Sequence, residues 1–280
     1  MTQSGADDRF DESPRPLHAG PPEDPLVGAF RRAGCVYAEE EVCILREHAR
    51  TADELDDLST RRIAGQPLEH LVGWVQFGDL RLSVGPGVFV PRQRSLLLAQ
   101  AAVDAAGGFG EPVVLEPFCG VAPIASSVAA SVPAAVLHVC DVDSATLAHA
   151  RRNLPANSGI HLGSLLEPVP AALRGHLDVI AAVPPYVPDA QIAFLAPEAR
   201  DHEPRRALTG GPDGLDHIAA LVADARVWLR AGGDLLMEMH TAQFDLLANR
   251  LETDVSFDVD AIEGDDGQTV VARLRRRRDG

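Results

Sequence analysis

The chain reads as an α/β protein: a doubly wound, seven-stranded sheet with interleaved helices, preceded by a small helical domain. Three observations predict this. From about residue 96 short apolar runs alternate with amphipathic stretches of helical period. Two of those runs end in an acid, Glu116 and Asp141, just before a turn and a helix start. A third, Leu177 to Val183, runs into Pro184-Pro185-Tyr186-Val187-Pro188. Prolines carry no N–H, so the ladder must stop there and leave Tyr186 at the strand's C-terminal edge, where ligands bind in open α/β sheets.

Taken in order, residues 1–24 are polar and rich in Pro, Gly, Asp and Glu, the composition of a disordered lead-in. Leu26, Phe30, Val36, Val42, Leu45, Leu55 and Leu58 give residues 25–64 a helical period, predicting a helical N-terminal domain. Residues 65–95 predict a β-hairpin linker: Leu80, Leu82 and Val84 alternate with Arg81 and Ser83, and Gly85-Pro86-Gly87 is expected to close the hairpin. Residues 96–280 form the main domain. Its strands are expected over 112–118, 134–141, 160–166, 177–183, 234–239, 255–262 and 269–274, the last two as an antiparallel edge pair. Its helices are expected over 96–106, 124–131, 144–153 with Ser144 as N-cap, 213–229 stopped by Ala231-Gly232-Gly233, and 242–251.

Composition narrows the chemistry. Apolar residues make up 46% of the 280, enough for a full core. No run approaches a membrane span and the N-terminus lacks a signal-peptide layout, so a soluble, cytoplasmic protein is expected. The net charge of −16 opposes nucleic-acid binding. Cys35, Cys43, Cys119 and Cys140 form no CxxC pair, which argues against structural zinc and a disulfide framework, and no metal is expected. All 25 basic residues are arginine, which excludes lysine Schiff-base and P-loop chemistry.

The two strand-end acids point to a nucleotide-type cofactor. Asp141 is placed to accept hydrogen bonds from ribose hydroxyls, and Glu116 to face the cofactor's other end. Between them lies Phe118-Cys119-Gly120-Val121-Ala122, with one glycine. A dinucleotide pyrophosphate needs several glycines for close approach, so S-adenosyl-L-methionine fits better than NAD.

Further segments carry a family likeness. They are Gly65-Gln66-Pro67-Leu68-Glu69-His70-Leu71-Val72-Gly73, Val88-Phe89-Val90-Pro91-Arg92, Val114-Leu115-Glu116, Asp141, Ala150-Arg151-Arg152-Asn153-Leu154 and Pro184-Pro185-Tyr186-Val187-Pro188. Glu203-Pro204, Ala207-Leu208, Gly210 to Asp216, Glu238 and Gln243 complete them. Together they resemble the glutamine methyltransferases that modify peptide-chain release factors, and especially a related branch of protein glutamine methyltransferases. The resemblance implies a Rossmann-like, seven-stranded class I S-adenosylmethionine-dependent methyltransferase domain behind a substrate-recognising helical domain. It implies cofactor contacts at Glu116, Phe118, Cys119, Gly120, Asp141, Val142, Ser164 and Leu165, with Glu116 and Gly120 at the methionine end, Asp141 at the ribose, and Ser164 and Leu165 at the adenine. Arg92 or Ser95 would lie near the methionine carboxylate, or their loop holds the domains together. Val183, Pro184, Pro185 and Tyr186 would form the acceptor pocket.

The chain also departs from that family. Its glycine turn reads Glu116-Pro117-Phe118-Cys119-Gly120-Val121-Ala122, and Gly-Asp-Leu becomes Gly163-Ser164-Leu165. The Asn that heads the family's Asn-(Pro or Val)-Pro-Tyr is Val183. In the family that Asn and the next carbonyl accept the two N–H bonds of the substrate amide; Val183 accepts none. Three readings stay open. One is a methyltransferase with another acceptor, such as a small molecule. Another is a protein glutamine methyltransferase relying on the Pro184 carbonyl. The last is a protein that binds S-adenosylmethionine but has lost or altered its chemistry. Oligomeric state is not legible. Cys119 reads as a buried turn residue, Glu69-His70 as structural, His240 as surface or base, and Arg275 to Arg278 as a solvated tail.

Overall fold

The computed structural model describes residues 24–278, so most of the expected lead-in lies outside the described residues. They fall into two compact units, one up to Ala64 and one from Gly65. The first holds α1 (Pro25–Arg32), α2 (Ala38–His48) and α3 (Ala52–Ile63). Asp24 and Thr51 cap α1 and α3 by accepting from Leu26 N and Glu54 N. The apolar stripe of each helix closes on Phe30, Val42, Leu45 and Leu58, and Arg62 pairs with Glu41 at 2.5 and 3.1 Å.

The second unit opens with α4 (Leu68–Val72) and the hairpin β1 (Trp74–Phe77) and β2 (Leu80–Ser83). Its turn is Gly78-Asp79, not Gly85-Pro86-Gly87: Phe77 pairs with Leu80, and Gly78 takes the positive φ a two-residue turn requires. The Gly-Pro-Gly segment makes the next turn, closed by Val88 N to Gly85 O.

Then follow α5 (Leu96–Gly107), β3 (Val113–Pro117), α6 (Pro123–Ser131), β4 (Val136–Asp141), α7 (Ser144–Asn153), β5 (Gly159–Leu162), β6 (Leu177–Ala182), α8 (Pro197–His202) and α9 (Asp216–Trp228). The chain ends in β7 (Leu229–His240), α10 (Thr241–Leu251), β8 (Phe257–Glu263) and β9 (Thr269–Arg276). The strand order is β5-β4-β3-β6-β7-β9-β8, with β9 antiparallel to both neighbours and the rest parallel, the expected class I methyltransferase arrangement. Every residue of β6 is buried, as a central parallel strand requires. The chain winds outward from β3 to β5 and returns to β6 beside β3, so the topological switch point lies between β3 and β6.

Three boundaries move. The N-cap of α7 is Asp143, whose carboxylate accepts from Ala145 N; Ser144 is the first helical residue. Ala231-Gly232-Gly233 does not cap α9 but bulges β7, where the register jumps between Leu177↔Leu229 and Val179↔Asp234. Gly232 has φ +83°, and a Cβ on Gly233 would lie 3.0 Å from Leu177 O and Asp178 O. Glycine serves both motifs, so local sequence could not separate them. Finally, Arg275 and Arg276 belong to β9 rather than to a solvated tail. Arg273 and Arg275 together give Asp234, 1% exposed, four hydrogen bonds of 2.9–3.1 Å.

Candidate active site

A cavity of about 500 Å³ opens along the C-terminal ends of β3 to β6. All the site residues expected from the sequence line it: Arg92, Ser95, Glu116, Phe118, Cys119, Gly120, Asp141, Val142, Ser164, Leu165, Val183, Pro184, Pro185 and Tyr186.

The turn after β3 keeps its shape without the usual glycines. Phe118 and Ala122 adopt φ +54° and +63°, the left-handed region that costs a residue with Cβ about 1–2 kcal/mol. Leu165, after β5, does the same at +48°. These strained residues all line the cavity or pack under it, which is where strain tends to be held. The Phe118 ring reaches across to His217 at the start of α9, 5.4 Å between centroids.

Two acids organise the turn. Glu116, 3% exposed, accepts from Ile124 N at 3.3 Å and Ala125 N at 2.7 Å, taking two unpaired donors of α6. Burial pushes its carboxyl up to about 8, against the pull of those two bonds. Asp141 accepts from Gly120 N and Asp143 N, both at 3.0 Å, one on each oxygen, tying the ends of β3 and β4 together. Burial raises its pKa as well. Each Asp141 oxygen keeps a second lone pair for a ligand hydroxyl. Burial holds the Cys119 thiol far above its usual range, so it is not a reactive thiol.

At the other end, β6 delivers Val183 into Pro184-Pro185-Tyr186. Val183 packs on the apolar core and brings no polar group to the wall. Tyr186 is fixed at two points. Its carbonyl accepts from Gln243 Nε2 at 2.8 Å, and its hydroxyl donates to Glu238 at 3.0 Å. Burial, with the Glu238 charge, raises the phenol's pKa, so it stays protonated.

Several contacts and residues of the wall were not expected: the partner of Arg92, and the presence of Arg94, Arg206 and His217. Arg92 donates to Glu203 at 2.6 and 2.7 Å and lies over the Phe89 ring at 4.8 Å. Arg206 spans to Asp143 at 2.5 Å, and Arg94 stands 3.4 Å from Glu238. His217 also lines the cavity. His240 instead accepts from Ala242 N and caps α10, and it is not among the cavity-lining residues. His70 is buried against Val88 O at 2.8 Å. Among the described residues no cluster of three or more His, Cys, Asp or Glu could hold a metal, and no helix is long and apolar enough to cross a membrane.

Comparison with known proteins places the chain. No protein-family model matches it. The release factor glutamine methyltransferase of Streptomyces coelicolor is 37% identical over 185 residues, 65% of this chain and 66% of that protein. The one from Deinococcus radiodurans is 35% identical over 232 residues, 81% of this chain and 80% of that protein. The chain belongs to the release factor glutamine methyltransferase family. Among solved structures, the E. cuniculi Mtq2–Trm112 complex, described as methylating the eRF1 translation termination factor, matches with a TM-score of 0.49. That match is 17% identical and covers 69% of this chain and 99% of that one. The family's cofactor fits the donor set of the cavity: a strand-end carboxylate at Asp141, apolar walls at Val142 and Leu165, and a tight turn at Gly120.

Proposed function

We propose that the protein is a cytoplasmic S-adenosylmethionine-dependent methyltransferase whose acceptor differs from the carboxamide its family relatives are named for. Bound there, S-adenosylmethionine supplies an electrophilic methyl group. Asp141 accepts from the ribose hydroxyls, Val142, Ser164 and Leu165 flank the adenine, and Glu116 with the Gly120 turn holds the methionine side. Val183 to Tyr186 wall the acceptor, and the apolar lining excludes water and fixes approach.

The observation that carries the altered acceptor is Val183. A carboxamide nitrogen has its lone pair delocalised, and both its N–H bonds need acceptors while it turns toward the methyl. Val183 leaves one N–H unpaired, which costs about 1–3 kcal/mol when buried, or about 5- to 150-fold in rate. A nucleophile with one N–H or O–H, on a small molecule or on another protein side chain, does not meet that penalty. The relatives' name favours a second reading, in which a protein glutamine is still methylated with the Pro184 carbonyl alone.

Transfer from radiolabelled S-adenosylmethionine to a release-factor peptide carrying the glutamine separates the two. The expected result is little transfer by the wild type and a gain in Val183→Asn. Equal transfer by both proteins removes Val183 from the argument.

A further inference from the structure

Three arginines line the cavity, and their partners differ. Arg92 is engaged by buried Glu203, which also accepts from Val90 N, and its guanidinium is stacked on Phe89. Arg206 is engaged by Asp143. Arg94 has a long contact, 3.4 Å from Nε to Glu238 Oε1, an oxygen that already accepts the Tyr186 hydroxyl. Glu238 is 1% exposed, and its Oε2 has no hydrogen-bond partner among the described residues.

That arrangement differs from those of Asp234 and Glu116. Asp234 is saturated by two guanidinium forks, and Glu116 by two backbone N–H groups. An arginine placed to neutralise Glu238 would turn its fork and serve both oxygens, since an unmade bond to a buried carboxylate is costly. The Arg94 side chain instead stays 47% exposed in the cavity wall, beside Tyr186 and toward the β6–β7 side. Asp141, expected at the ribose, lies at the end of β4, so a ligand extending from it past Glu116 on β3 approaches Arg94.

We propose that Arg94 is a carboxylate-recognition residue that takes the α-carboxylate at the amino-acid end of the bound cofactor. Glu238 and Tyr186 act as positioning residues that hold the guanidinium from behind. The inference rests on reading the cavity as an S-adenosylmethionine site. It gives Arg94, rather than Arg92, the role expected of the loop after the hairpin.

Calorimetric titration with two probes tests it. S-Adenosylhomocysteine carries the amino-acid end; 5′-methylthioadenosine is the same nucleoside thioether without it. Arg94→Gln is expected to weaken S-adenosylhomocysteine tenfold or more and to leave 5′-methylthioadenosine within twofold. Arg94→Lys should recover part of the loss, because it restores the charge without the fork. Unchanged S-adenosylhomocysteine affinity overturns the proposal, and so does an equal loss for both probes, which is the signature of a disturbed fold. A wild type that binds neither probe refutes the cofactor reading itself.

Discussion

Glu116 couples the turn after β3 to pH. It is buried, satisfied by two backbone donors, and titrates at about 8 in the folded protein against an ordinary 4.5. Between those values the folded state binds the proton that the unfolded state releases, so stability must fall as pH rises. The contribution is fully present below about pH 4.5 and is lost as pH passes about 8. At about 1.36 kcal/mol per pH unit, the separation amounts to about 5 kcal/mol at most, and about 2–5 kcal/mol once local relaxation is allowed. Urea unfolding of the wild type and Glu116→Gln at pH 5.5, 7.0 and 8.5 isolates the group, because the histidines titrate in both proteins and cancel. The wild type should lose about 2–3 kcal/mol more than the variant across that interval, which covers only the part of the separation above about pH 5.5. At pH 5.5 the variant should be the weaker by about 1–3 kcal/mol, because its amide NH₂ cannot accept the second backbone N–H. Parallel stability curves would show that the carboxyl titrates normally and that its burial has no electrostatic consequence.

Two further outcomes follow from the same geometry. Asp141→Ala should weaken S-adenosylhomocysteine by about 1–3 kcal/mol, about 5- to 150-fold by calorimetry, and Asp141→Asn by less; unchanged affinity would move the nucleoside elsewhere. Gly214→Ala should destabilise by about 2–5 kcal/mol in thermal unfolding. Gly214 holds φ +78°, and a Cβ there would fall onto Tyr186 O and Gln243 Nε2. A variant as stable as the wild type would mean that the Tyr186 loop is not held by those contacts.

Much of the cavity was legible because its signals are local. An acid closing a buried strand, a proline pair after another, and the residues between them are read from a few positions at a time, and the sheet then gathers them at one edge. Ion pairs across the fold leave no such trace. Arg92 and Glu203 are 111 residues apart and Arg94 and Glu238 are 144 apart, so sequence could name Arg92 as a cavity residue without showing what occupies its guanidinium. Arg206 and His217 were missed for the same reason: each sits in an ordinary polar stretch, and only the return of the chain brings it to Asp143 and Phe118. Boundaries failed where glycine serves two purposes. Gly232-Gly233 suits a helix stop as well as a bulge, and the expected Gly85-Pro86-Gly87 yields to the shorter turn Gly78-Asp79, which pairs Phe77 with Leu80.

The ion pairs described above are all made by guanidinium groups, and the whole chain has no lysine to share that task. A guanidinium keeps its charge beyond about pH 12. Alkali therefore cannot unlock these bridges by neutralising their cationic halves. Whatever base-induced loosening the protein shows must begin with acids and thiols forced to ionise in the interior. Reagents aimed at primary amines will find no side chain to label, and can be used to tag a binding partner while leaving this protein's side chains unmarked.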